Sequence, residues 1–124
     1  MAAEQERSGY EGIPELVMRG KVRLRFPIKA RDQDVSEIRY DFAKVTSKQM
    51  LDALKGEPCR DIGEISDAQA FKLFTKATIG LNENIDEYDL MRLMPPDMMS
   101  GRRLGRNFFV GAESIALKSI EAIS

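Results

Sequence analysis

Residues 21–50, KVRLRFPIKARDQDVSEIRYDFAKVTSKQM, contain the change of rhythm that decides the fold. From Lys21 to Ile28 the period is two. Val22, Leu24, Phe26 and Ile28 share one face, and Lys21, Arg23 and Arg25 share the other. The run 36–42 repeats the alternation, with Ile38, Tyr40 and Phe42 inward and Glu37, Arg39 and Asp41 outward. Mostly opposite charge on the two polar faces suits an antiparallel pair. Pro27 cannot donate to a ladder, which places the first strand at an edge or ends it there. The link ARDQD, 30–34, is polar and turn-like, but it lacks the Gly that fixes a tight two-residue hairpin. A hairpin alone is marginal, so its apolar face needs a cover.

The cover is helical, and its start signals repeat. Thr46-x-x-Gln49 reads as a capping box, with Val45 and Met50 spaced for a hydrophobic staple and Gly56 as the stop. Ser66-x-x-Gln69 opens a second helix whose core face is Ala70, Leu73, Phe74 and Ala77, widened by Phe71 and Thr78 and ended by Gly80. Asp86 caps a short third helix carrying Tyr88, Leu90, Met91, Leu93 and Met94. Pro95 and Pro96 interrupt it, and a fourth helix restarts at Pro96 with Asp97 near its positive end. The stretch 112–123 keeps a weak helical period. The expectation is an α+β domain: an N-terminal β-hairpin packed on three to four short helices. Residues 1–19 read as a flexible arm with a turn of helix near Glu15 to Arg19, 20–110 as the single domain, and 111–124 as a helical or disordered tail.

Composition narrows the chemistry. The 124 residues suit one domain, and 43% hydrophobic against 31% charged residues allow a packed core. There is no His, so there is no His general base, Ser-His-Asp triad or His metal ligand. Cys59 is the sole cysteine, which excludes an internal disulfide and reads as a small buried hydrophobe. The net charge of −1 hides an alternation. Acids predominate over 1–19 and 56–97, bases over 20–55 and 98–124. That pattern argues for protein contacts by charge complementarity rather than a nucleic-acid footprint. The acidic start MAAEQERSGYEG shows no signal peptide, and no apolar run reaches membrane-spanning length. A soluble intracellular chain is expected, with no enzyme activity, no cofactor and no metal.

Three groups invite a functional reading. Asp86, Glu87 and Asp89 fit the ordinary preference for acids at a helix start. Gly101-x-x-x-Gly105 sits among Arg102, Arg103 and Arg106, so it is not a membrane dimer motif. Two glycines in a helix imply close backbone packing or a helix that bends, and both readings stand. Met91, Met94, Met98 and Met99 lie within nine residues, followed by Phe108 and Phe109. They read either as core filler or as a plastic apolar surface for a partner.

The order of elements resembles the small tail assembly chaperones of Mu-like contractile-tailed phages. The residues that carry the resemblance are RLRFPI at the end of the first strand, DLMRLMPPDMM at 89–99, and the pair Phe108-Phe109. Leu90, Leu93 and Asp97 match the family's Leu-x-x-Leu-x-x-x-Asp pattern before the last helix. The resemblance covers roughly residues 20–110. It implies a non-catalytic chaperone, acting in the cytoplasm of the bacterial host and absent from the mature virion. Its partner would be the tape measure protein, with tail tube subunits and a second copy of the chain as further candidates. The expected partner-binding residues are Met94, Met98, Met99, Leu104, Phe108 and Phe109, with Arg102, Arg103 and Arg106 steering acidic stretches. The alternatives are a structural tail or head-tail component retained in the virion, or a small nucleic-acid-binding regulator using the three arginines.

Overall fold

The computed structural model describes residues 9–56 and 64–123. Cys59 and the loop glycine Gly63 lie outside them. The fold is α+β, an antiparallel hairpin covered by helices. A one-turn helix α1 (Glu15–Met18) leads into β1 (Arg19–Ala30) and β2 (Gln33–Asp41), then a 3-10 turn (Phe42–Lys44). Four helices follow: α2 (Ser47–Leu54), α3 (Asp67–Thr78), the one-turn α4 (Glu87–Leu90) and α5 (Pro95–Lys118).

The hairpin is tighter than its sequence suggests. Ala30 pairs with Gln33, so only Arg31 and Asp32 form the turn. Both take left-handed φ angles, 51° and 65°, the pattern of a type I′ turn built without glycine. Arg31 also donates through Nη1 to Asn84 Oδ1 at 3.0 Å, tying the turn to the loop before α4. Further along, the register jumps from Arg23 opposite Glu37 to Ile28 opposite Val35. Residues 24–27 therefore bulge against Ser36 alone. The strict alternation expected for β1 breaks there: Leu24 and Ile28 are buried, but Phe26 turns out to solvent. Asp41, expected outward, is also buried. Its carboxylate pairs with Arg19 at 2.8 Å and accepts from the Ala43 N–H to start the 3-10 turn.

Side chains close the hairpin's edges. On β2, the amide of Asn82 accepts from the Arg39 N–H at 2.8 Å and donates to the Arg39 carbonyl at 2.9 Å, imitating a neighbouring strand. On β1, Asp97 accepts from the N–H groups of Arg25 and Phe26, and Arg92 donates to the Lys29 carbonyl. Such covers prevent an open edge from templating another chain.

Both expected capping boxes are present, Thr46 with Gln49 and Ser66 with Gln69. Gln69 also donates to the Leu54 carbonyl at 2.7 Å, which locks the end of α2 onto α3. The expected core face of α3 is buried, Phe71 and Thr78 included. Phe42 stacks on Phe108 with centroids 4.7 Å apart, and Tyr40 leans on Phe74 at 5.8 Å. The arm is docked from residue 9 onward. Ile13 and Met18 enter the core, Tyr10 packs on Phe108, and the Tyr40 hydroxyl donates to the Leu16 carbonyl. Burial pushes the Tyr40 phenol up from its ordinary value.

At the other end, α5 starts at Pro95 rather than Pro96 and runs unbroken through Lys118. The boundary expected at 110 falls inside this helix, which is long rather than short. Its two glycines serve close packing, not bending. A Cβ on Gly101 would lie 2.6 Å from the Phe74 ring, and one on Gly105 would lie 2.0 Å from the Ala70 carbonyl oxygen. Among the described residues, no helix is long and apolar enough to cross a membrane.

Candidate partner-binding surface

The methionine-rich segment is held from both sides. Asp86 and Asp89 form a reciprocal capping box around the single turn of α4, which buries Leu90. Seven residues on, Asp97 is itself buried and accepts from Arg25 N at 2.9 Å and Phe26 N at 3.1 Å. Between these anchors and just beyond the second, the chain is held in place and displays large apolar side chains. Tyr88 is 82% exposed, Met91 68%, Met94 47% and Met99 49%. Leu90, Leu93 and Asp97, the residues of the family-like pattern, point inward as the joint beneath this ridge.

The expected surface residues divide. Met94 and Met99 are exposed, while Met98, Leu104 and Phe109 are half-buried against the core. Phe108 is a correction: at 1% exposure, stacked on Phe42 with Tyr10 tilted against it, it is core and offers nothing to a partner. Its helical phase places it on the same inward stripe as Gly101 and Gly105, spacing that the paired reading of Phe108 with Phe109 overlooked. The arginines divide as well. Arg102 and Arg106 both pair with Asp67 Oδ1, at 3.1 and 2.7 Å, and clamp α5 to the start of α3. Arg103 is the exposed member, so the cluster is a structural clamp more than a steering patch.

Beneath the ridge lies a feature the sequence reading missed. A hollow of about 300 Å³ is walled by Ala68 and Phe71 of α3, Leu90, Met91 and Leu93, and Met98 of α5. It is almost wholly apolar. A second hollow of about 350 Å³ meets it at Met91 and is lined by Asp52, Lys55, Lys72, Thr75, Lys76 and Glu87. The two hollows share Met91 and follow one another along α3, Ala68 and Phe71 lining the first and Lys72, Thr75 and Lys76 the second, and together they are called the trough. That spacing was the available signal, hidden because the core face of α3 claimed attention first.

Charge is arranged along the trough. Lys76 sits between Asp52 at 2.7 Å and Glu87 at 2.9 Å. The hydrogen bond to Asp52 leads in raising the Lys76 pKa, and the same pair holds Asp52 below the ordinary carboxylate range. Lys55 and Lys72 border the same hollow and make no ion pair among the described residues. At the apolar end, hydrogen bonds from Arg106 and then Arg102 hold the Asp67 carboxyl below its usual range. A depressed carboxyl pKa gives stability that is present above the unfolded value and lost as pH falls through the folded one. The α3–α5 clamp is therefore expected to loosen below about pH 4. Acid titration of wild type against Asp67→Asn checks this: the variant should start less stable at neutral pH and lose less on acidification.

Among the described residues, no three metal-ligating side chains converge. The trough offers shape, apolar area and two lysines, Lys55 and Lys72, that make no ion pair among the described residues. Compared with protein-family models, curated proteins and solved structures, the chain matches none.

Proposed function

We propose that this protein is a non-catalytic tail assembly chaperone that binds the tape measure protein of a contractile-tailed phage. It would act in the host cytoplasm and leave before the virion matures. The observation that carries the reading is the exposed ridge of Tyr88, Met91, Met94 and Met99 over an apolar trough, mounted on the Leu90–Leu93–Asp97 joint. Methionines re-pack against helices of differing sequence, which suits a long partner without one fixed epitope. Engagement of Arg102 and Arg106 by Asp67 favours this over the nucleic-acid alternative, because two of the three arginines that alternative relies on are already held by a carboxylate.

The test is co-expression with the tape measure protein of the phage whose genome encodes this chain. The double variant Met94→Asp/Met99→Asp is expected to lose co-purification while its thermal transition stays within a few degrees of wild type, since both side chains are about half exposed. Met98→Asp is a poorer probe, because Met98 packs against the core. Retained co-purification in the double variant would move the binding surface elsewhere. Stoichiometric protein in purified particles would favour the retained structural component instead.

A further inference from the structure

The same helix that walls the trough at its beginning exposes an apolar end. Leu117 is 67% exposed and Ile120 74% exposed, and Val110 and Ile123 also face solvent. The helical turn carries on past Lys118, with Ser119 N–H donating to the Ile115 carbonyl and Ile120 N–H to the Leu117 carbonyl. Glu113 lies four residues before Leu117 and seven before Ile120, so one side of this end presents two aliphatic side chains and a carboxylate.

We propose that this end of α5, residues 113–120, docks into the trough of a second copy of the chain. Shape and charge agree in order and in length. The trough is apolar around Ala68, Phe71 and Met91 and turns cationic beyond them, where Lys55, Lys72 and Lys76 outnumber Asp52 and Glu87, over about 13 Å of α3. The helix end is apolar at Leu117 and Ile120 and anionic at Glu113, over about 10 Å. Laid antiparallel to α3, it brings its aliphatic pair to the apolar hollow and Glu113 to Lys55 and Lys72, which make no ion pair among the described residues. The contact cannot form within one molecule. Met98 and Leu117 belong to one continuous helix and stand about 28 Å apart along its axis. Because the trough and the helix end are different surfaces, two copies close into a dimer only by exchanging helix ends reciprocally; one-way docking repeats into a ring or an open filament. The inference concerns the same trough as the proposed function but does not rest on that reading, since self-association is measured on the protein alone, without any partner.

Sedimentation velocity on the full chain tests it. Wild type is expected to show a weight-average mass that exceeds the 14.0 kDa monomer and rises with concentration. Leu117→Asp/Ile120→Asp and Met91→Asp should each be monomeric with unchanged thermal transitions, because all three side chains are exposed. Mixed together, they should form one 1:1 complex that grows no further, since each supplies the surface that the other lacks. Lys72→Glu and Glu113→Lys should each weaken association at least several-fold, and their combination in one chain should restore it. A wild type that stays monomeric, or a mixture of the two monomeric variants that does not associate, overturns the proposal. Association that survives Leu117→Asp/Ile120→Asp overturns it too.

Discussion

Gly105→Ala is expected to destabilise the protein by about 3 kcal/mol or more, although Gly to Ala inside a helix ordinarily gains roughly 1 kcal/mol. The reversal comes from one distance. A Cβ at Gly105 would stand 2.0 Å from the Ala70 carbonyl oxygen and 2.9 Å from its carbon. Both atoms belong to the backbone of α3, so no side-chain rotation can make room. The helices must part, and parting them unpacks Phe74 and Phe108 and stretches the Asp67 clamp at the same crossing. In a domain of this size such a loss lowers the thermal midpoint by roughly 10 °C or more. Gly101→Ala should cost less, because its Cβ would meet the Phe74 ring, which is a side chain. Ala70→Gly should not rescue Gly105→Ala, since the obstructing atom is the carbonyl oxygen and not the Ala70 methyl. A neutral or stabilised Gly105→Ala, measured by calorimetry or denaturant titration, would show that α3 and α5 do not approach this closely.

That crossing marks where sequence reading succeeds and where it stops. Local chemistry was legible. Period two announced the strands, two capping boxes fixed the starts of α2 and α3, and the core face of α3 followed from spacing alone. What escaped were decisions made by partners distant in sequence. Phe26 leaves the apolar face of β1 because the strand bulges, and the bulge persists because Asp97, over seventy residues away, satisfies its amides. Asp41 is drawn inward by Arg19 and by its role in capping the next turn. Arg31 and Asp32 adopt a turn usually given to glycine, a conformation that costs roughly 1–2 kcal/mol per residue and is held by the flanking register. The candidate site shows the same division. Its methionine cluster could be named from sequence. For the trough beneath it the sequence held only the spacing along α3; the other walls come from α2, α4 and α5, which meet α3 only in the folded chain.

The second large effect falls on Asp97. Asp97→Ala is expected to cost about 3–5 kcal/mol, with cooperative unfolding at markedly lower denaturant. Each hydrogen bond to a charged acceptor contributes roughly 1.5–3 kcal/mol, and its loss here leaves two N–H groups of the bulge without their acceptor. Register forbids the obvious repair. Residues 24–27 face a single partner residue on β2, so Arg25 and Phe26 cannot turn to the ladder, and Pro27 has no N–H to offer. The carboxylate also lies in the first turn of α5, where the helix dipole favours it, so the variant weakens the helix start as well as the strand. Asp97→Asn separates these contributions. Its carbonyl can accept one of the two bonds, but its NH₂ would face the other amide, so it should lie between wild type and Asp97→Ala in stability. Hydrogen exchange supplies the local readout. The amides of Arg25 and Phe26 should both exchange much faster in Asp97→Ala, and one of the two in Asp97→Asn, ahead of the Val22–Ile38 and Gly20–Tyr40 pairs of the same hairpin. Slow exchange at Arg25 and Phe26 in Asp97→Ala would mean that another group satisfies the bulge. The Leu90–Leu93–Asp97 joint would then owe its hold on the Met91–Met99 ridge to the two leucines alone.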